Sequence, residues 1–168
     1  MQTFQQFLNE QNIDHDIYMK GRCAVFALAL YLEKGYELGV LWDINEDSDR
    51  DYMPLGEIDY DAYDAYEEHG ESYYPEDFSS IIHVFCYKMP GILVDVNGQT
   101  TKSKMLDWAN HVVSNGPIDP SFTNSDRDEV EEFMEPQSPD NPHGGMLAPK
   151  PGEIEKLRQY IRANPDRY

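Results

Sequence analysis

Four residues of this chain have the types and the order needed for covalent chemistry on an amide: Cys23, His83, Asp95 and Asn97. A cysteine attacks a carbonyl carbon as its thiolate. A histidine beside it takes the thiol proton and returns it to the leaving group, while a third polar side chain holds the ring. Cys23 stands at the start of an apolar run, Gly21-Arg-Cys-Ala-Val-Phe-Ala-Leu-Ala-Leu-Tyr-Leu-Glu-Lys34, in which ten of the eleven residues from Arg22 to Leu32 are uncharged. A helix apolar on nearly all sides is a buried helix, and this one is too short to cross a bilayer, which needs about 20 apolar residues. Its first turn offers Cys23 free N–H groups and the positive end of the helix dipole, both of which favour the thiolate. The plainer alternative is that Cys23 is a small residue of the core.

The elements that must carry His83 and the two later residues follow from periodicity. Ser80 to Lys88 is rich in β-branched and aromatic residues and reads as a strand. Met89-Pro-Gly91 is a turn, and Ile92 to Asn97 is the returning strand, ended by Gly98. Pairing Lys88 with Ile92 sets Phe85 opposite Asp95 and His83 opposite Asn97. Ile81, His83, Phe85 and Tyr87 then share one face, with Asp95 diagonal to His83 and Asn97 as the alternate orienter. Val84 and Cys86 fall on the other face, so Cys86 reads as packing.

Around this hairpin the pattern predicts a short amphipathic helix over residues 3–12 and an irregular lead-in at 14–22. It predicts a strand over 36–42 after the helix stop at Gly35. A helix capped by Thr100 or Thr101 covers 102–113, with Met105, Trp108, Ala109 and Val112 as its buried stripe. A last helix covers 151–163, with Leu157, Tyr160 and Ile161 facing inward. Residues 115–150, rich in proline and acid, read as a long surface loop with a short acidic helix near 126–134.

The matching positions Gly21-Arg-Cys23-Ala-Val-Phe-Ala-Leu-Ala-Leu, His83-Val-Phe and Val94-Asp95-Val-Asn-Gly98 resemble the papain-like superfamily of cysteine hydrolases in its compact bacterial or phage form. The resemblance spans roughly residues 18–112. It implies an α+β fold, with a buried N-terminal helix packed on a small antiparallel sheet and the site at their seam. It also implies hydrolysis or transfer at a peptide bond or a glutamine side chain, without a cofactor. Cys23 would be the nucleophile, His83 the base and acid, and Asp95 or Asn97 the orienter. For the oxyanion, Tyr18 and the backbone N–H of Cys23 are the candidates.

The charge balance narrows the partners. With 32 acidic and 13 basic residues the net charge is −19. Such a chain repels nucleic acid and anionic membranes and suits a basic protein or peptide partner. Residues 43–77 concentrate the acid, with 14 Asp or Glu against Arg50 as the single basic residue, punctuated by tyrosines. We read 43–79 as an acidic Tyr-rich insertion in a single domain, partly helical over 58–69. Asp59, Asp61, Asp64, Glu67 and Glu68 are its partner-binding candidates. The alternation Asp43, Asn45, Asp47, Asp49, Asp51 superficially matches a calcium loop. It has Ser48 where the glycine belongs and Pro54 at the twelfth position, so no metal is assigned. Two cysteines make no disulfide framework, and Met1–Glu10 lacks a signal peptide's basic start and apolar run. The expectation is therefore a cytoplasmic protein. A different class fits the same charge: a non-enzymatic acidic decoy, phage- or mobile-element-encoded, whose carboxylates imitate nucleic-acid phosphates.

Overall fold

A computed structural model describes residues 13–19, 21–44, 80–113, 117–136, 141 and 143–168. The helices read over 3–12 and 58–69 lie outside these residues. So does the acidic insertion from residue 45 onward, with its candidates Asp59, Asp61, Asp64, Glu67 and Glu68.

The architecture is α+β. Five strands form one antiparallel sheet in the order β4-β3-β2-β1-β5: β1 is Glu37–Asp43, β2 Ser80–Met89, β3 Ile92–Asp95, β4 Gly98–Thr100 and β5 Pro120–Ser125. The described helices are α1 His15–Met19, α2 Cys23–Lys34, α3 Lys102–Trp108, α4 Arg127–Glu132 and α5 Glu153–Ala163. A π-helical turn, Ala109–Val113, continues α3. No helix among the described residues is long and apolar enough to cross a membrane.

Every residue of α2 from Cys23 to Leu30 is buried, and the helix packs with Leu38, Val40, Val84, Cys86 and Val94 of the sheet and Leu157 and Ile161 of α5. Its last turn is wetter than the apolar run suggests, since Tyr31 and Leu32 reach solvent. Gly35 closes it by donating its N–H to the Tyr31 carbonyl at 2.9 Å. The sheet's other face carries Leu41, Ile82, Phe85 and Leu93 against Met105 and Ala109.

The hairpin body keeps the expected register, with Tyr87 opposite Leu93 and Cys86 opposite Val94. At the turn Met89, not Lys88, pairs with Ile92, so Lys88 is a bulge residue. A second irregularity corrects the face assignment. Between β1 and β2 the register runs Leu41–His83, then Trp42–Ile81, which leaves Ile82 as the extra residue. Ile81 therefore packs with the helix-side cluster, while Ile82 joins the opposite one. Bulges of this kind re-aim side chains.

Three elements differ from expectation. The lead-in contains a helical turn, α1. The second hairpin strand stops at Asp95, and the chain turns through Val96 and Asn97 into β4, which begins at Gly98. The Asn97-Gly98 dipeptide was the available signal, muted because a strand of Gly-Gln-Thr has no apolar pattern. The supposed loop 115–150 contributes β5, a half-exposed polar edge strand on β1. Pro120 is tolerated because it opens that edge strand, where a missing N–H costs little. Asp126 caps α4 by accepting from Glu129 N–H, and Thr101 caps α3 by accepting from Lys104 N–H.

Candidate functional site

His83 is carried by β2 beyond its last pairing with β3, Cys86–Val94. Its ring is fully buried and lies 5.1 Å, centroid to centroid, from Trp108 at the end of α3. Nε2 lies 3.2 Å from Asp95 Oδ2. The other Asp95 oxygen accepts the Asn97 backbone N–H at 2.8 Å, so the tight turn after β3 fixes the carboxylate's orientation. Asp95 itself is buried.

On the ring's other side Nδ1 has no hydrogen-bond partner among the described residues. The Cys23 thiol nevertheless lies close enough to act on the ring. Burial alone would lower the proton affinity of His83. Asp95 and Cys23 outweigh it, and the imidazolium is favoured up to a pKa of about 10. Both partners are closed to solvent, Cys23 being 1% and His83 0% exposed.

The structure thus joins His83 to Asp95, with the Cys23 thiol near enough to weigh on the ring's protonation. It does not bring the Asn97 side chain to the ring: its Oδ1 lies 3.3 Å from His15 Nδ1, and only its backbone serves Asp95. Tyr18 is also not free for an oxyanion. Its hydroxyl donates to Glu153 Oε1 at 2.7 Å, and burial with that carboxylate raises its pKa. Asp43 is no loop ligand. It ends β1, buried, and its Oδ1 accepts from Asp119 N–H at 2.8 Å. Among the described residues no group of three or more His, Cys, Asp or Glu is arranged to hold a metal.

Cys86 contrasts with Cys23. It is free, wholly buried on the helix side, and its thiol donates to the Ala27 carbonyl of α2 at 3.4 Å. Burial pushes its pKa well up, so it stays a thiol.

Sequence reasoning missed a second buried ionic group. Arg22, 7% exposed, makes a two-pronged pair with Glu153 at the start of α5. Nothing in the sequence links two residues 131 positions apart. A pocket of about 170 Å³ opens beside Asp95, lined by Met19, Asn97, Gln99, Lys104 and Trp108 among others.

Comparison of the chain with protein-family models, with curated proteins and with solved structures yields no significant match.

Proposed function

We propose that this protein is a papain-like thiol hydrolase or transferase acting on an amide, either a peptide bond or a glutamine side chain. The observation that carries the reading is the two-sided environment of His83. Nε2 is held by Asp95, Nδ1 is unpaired, and the Cys23 thiol at the start of a buried helix is near enough to raise the ring's proton affinity. A histidine serving only structure would have both nitrogens satisfied.

In the resting pair the Cys23 proton already resides on the His83 ring, and the thiolate attacks the substrate carbonyl carbon. The tetrahedral oxyanion is received by the backbone N–H of Cys23. As the C–N bond breaks, His83 Nδ1 protonates the leaving amine, leaving a thioester on Cys23. Water or an acceptor amine, deprotonated by the neutral His83, then attacks the thioester and releases Cys23. Asp95 holds the ring through Nε2 throughout. The two free thiols fit a reducing, cytoplasmic setting. The acidic insertion, with Asp59, Asp61, Asp64, Glu67 and Glu68, recruits a basic protein or peptide.

The test is to incubate the protein with basic peptides, including glutamine-containing ones, and follow products and any Cys23 thioester by mass spectrometry. Hydrolysis, deamidation or a thioester that disappears in Cys23→Ala supports the reading. A wild-type protein with no more activity than Cys23→Ala overturns it.

The burial of Cys23 and His83, together with the net charge of −19, favours a second reading. Here the protein is a non-enzymatic acidic decoy that covers a basic protein groove. Such binding weakens steeply with added salt and is indifferent to Cys23→Ala.

A further inference from the structure

The entrance to α2 is held by a part-buried set of polar contacts to which the proposed chemistry assigns no role. Gly21 sits at φ 78°, a backbone region that side chains disfavour, and turns the chain sharply into the helix. Its carbonyl accepts from Leu147 N–H at 3.1 Å. Arg22 occupies the cap position but makes no side-chain cap to α2. Its guanidinium instead reaches back to α5, with Nε donating to Glu153 Oε1 at 3.1 Å and Nη2 donating to Glu153 Oε2 and, at 3.1 Å, to the Ala148 carbonyl.

Glu153 is the hub. Its two oxygens receive Arg22 Nε and Nη2, the Tyr18 hydroxyl from α1, and Lys150 N–H at 2.7 Å. Desolvation opposes its ionisation, but the hydrogen bonds from Tyr18, Lys150 and Arg22 outweigh it and lower its pKa. Three segments are thereby tied to the residue immediately before Cys23: α1, the 147–150 loop and the first turn of α5.

We propose that Arg22 and Glu153 are positioning residues for the Cys23 nucleophile, their ion pair fixing the first turn of α2 so that the sulfur is held toward the His83 ring. This rests on the thiol-hydrolase reading above. A largely desolvated ion pair adds little net stability over apolar side chains of its size, so its contribution here is geometric. Consecutive Cα atoms are about 3.8 Å apart, so a small rotation at Arg22 is passed directly to the sulfur. Displacements of about 1 Å at a reacting atom can cost about a hundredfold in rate.

Positioning and through-space charge predict opposite signs for one substitution. Glu153→Gln removes an anion near Cys23 and leaves Arg22 unneutralised. By charge alone the thiolate gains and the thiol pKa falls. If the pair positions the sulfur, the His83 contact loosens and the thiol pKa rises.

The experiment is the ultraviolet absorbance of the thiolate against pH, taken as the difference between each protein and the same protein carrying Cys23→Ala. Thermal unfolding is measured alongside. The thiol-hydrolase reading requires that the wild type carry the Cys23 thiolate at neutral pH. Glu153→Gln should move the midpoint upward by about one unit, a tenfold fall in the thiolate-to-thiol ratio. Arg22→Lys keeps the charge but loses the fork, and should move it in the same direction by less. The double exchange Arg22→Glu with Glu153→Arg should bring the midpoint back toward wild type. A lowered melting temperature with an unmoved or downward-shifted midpoint in Glu153→Gln overturns the positioning role. Should that variant not fold, an Arg22→Lys midpoint equal to wild type overturns it instead. A wild type with no thiolate at neutral pH sinks the nucleophile reading itself, which separates the two failures.

Discussion

Two buried ionisable groups flank the first turn of α2, and they are built to different rules. In Arg22–Glu153–Tyr18 the Glu153 carboxylate is met by donors on both oxygens, and the Tyr18 hydroxyl and both Arg22 nitrogens facing it are engaged. In Cys23–His83–Asp95 the carboxylate is fixed by Nε2 and a backbone N–H, but Nδ1 is left open. A satisfied buried cluster holds geometry. An incompletely satisfied one keeps a donor or acceptor available, which is what a proton-transfer site requires. The two also fail at opposite ends of the pH scale. Glu153 has a lowered pKa, so its contribution is present above its ordinary 4.5 and lost as pH falls through the native value. His83 has a raised pKa, so its contribution is complete below 6.5 and lost as pH rises through about 10.

The largest effect expected is from breaking the satisfied cluster. Arg22→Ala leaves the part-buried Glu153 charged with only the Tyr18 hydroxyl and Lys150 N–H as donors, and should cost about 3 kcal/mol in denaturant unfolding. Asp95→Asn is milder because the carboxamide can still accept from Nε2 or Asn97 N–H. It should cost about 1–3 kcal/mol at neutral pH. It should also flatten the alkaline limb of a stability–pH curve while leaving the acid limb in place. Loss of the acid limb instead would mean that the two clusters are coupled.

Sheet packing supplies a control away from both clusters. A Cβ on Gly39 would stand 2.6 Å from the Tyr87 ring and 2.7 Å from the Phe85 ring. Gly39→Ala should therefore destabilise by about 1–3 kcal/mol through overpacking, without moving the Cys23 thiolate midpoint. The smallest effect is expected at the second thiol. Cys86→Ala opens a methyl-sized void and should cost about 1 kcal/mol, with the thiolate absorbance at neutral pH unchanged. Loss of that absorbance would assign the ionised thiol to the wrong cysteine.

What the sequence made legible is the part carried by apolar periodicity. The unbroken run after Gly21 marks α2, the β-branched run from Ser80 marks β2, and the Pro-Gly turn marks the hairpin whose body pairs Tyr87 with Leu93 and Cys86 with Val94. Leu157, Tyr160 and Ile161 are buried on α5 as their spacing required. The rest was hidden for physical reasons. β4 and β5 are short, polar edge strands stabilised by pairing rather than by burial. The Ile82 bulge depends on matching β1 to β2, a non-local property that strand alternation in β2 alone cannot report. The Asn97 side chain was expected at the ring because alternation was extended past Asp95, where the chain turns. Tyr18 was read as an oxyanion donor because its partner, Glu153, lies 135 residues away in sequence.

The central claim is that Asp95 and Cys23 together act on His83, and the ring's own titration tests it most directly. With the histidines isotopically labelled and His83 assigned by His83→Gln, its imidazole should remain protonated through neutral pH and lose its proton near 10. Cys23→Ala should lower that midpoint, because burial then opposes the charge with Asp95 alone to offset it. A His83 that titrates near 6.5, or whose midpoint is the same with and without the Cys23 thiol, would contradict the account.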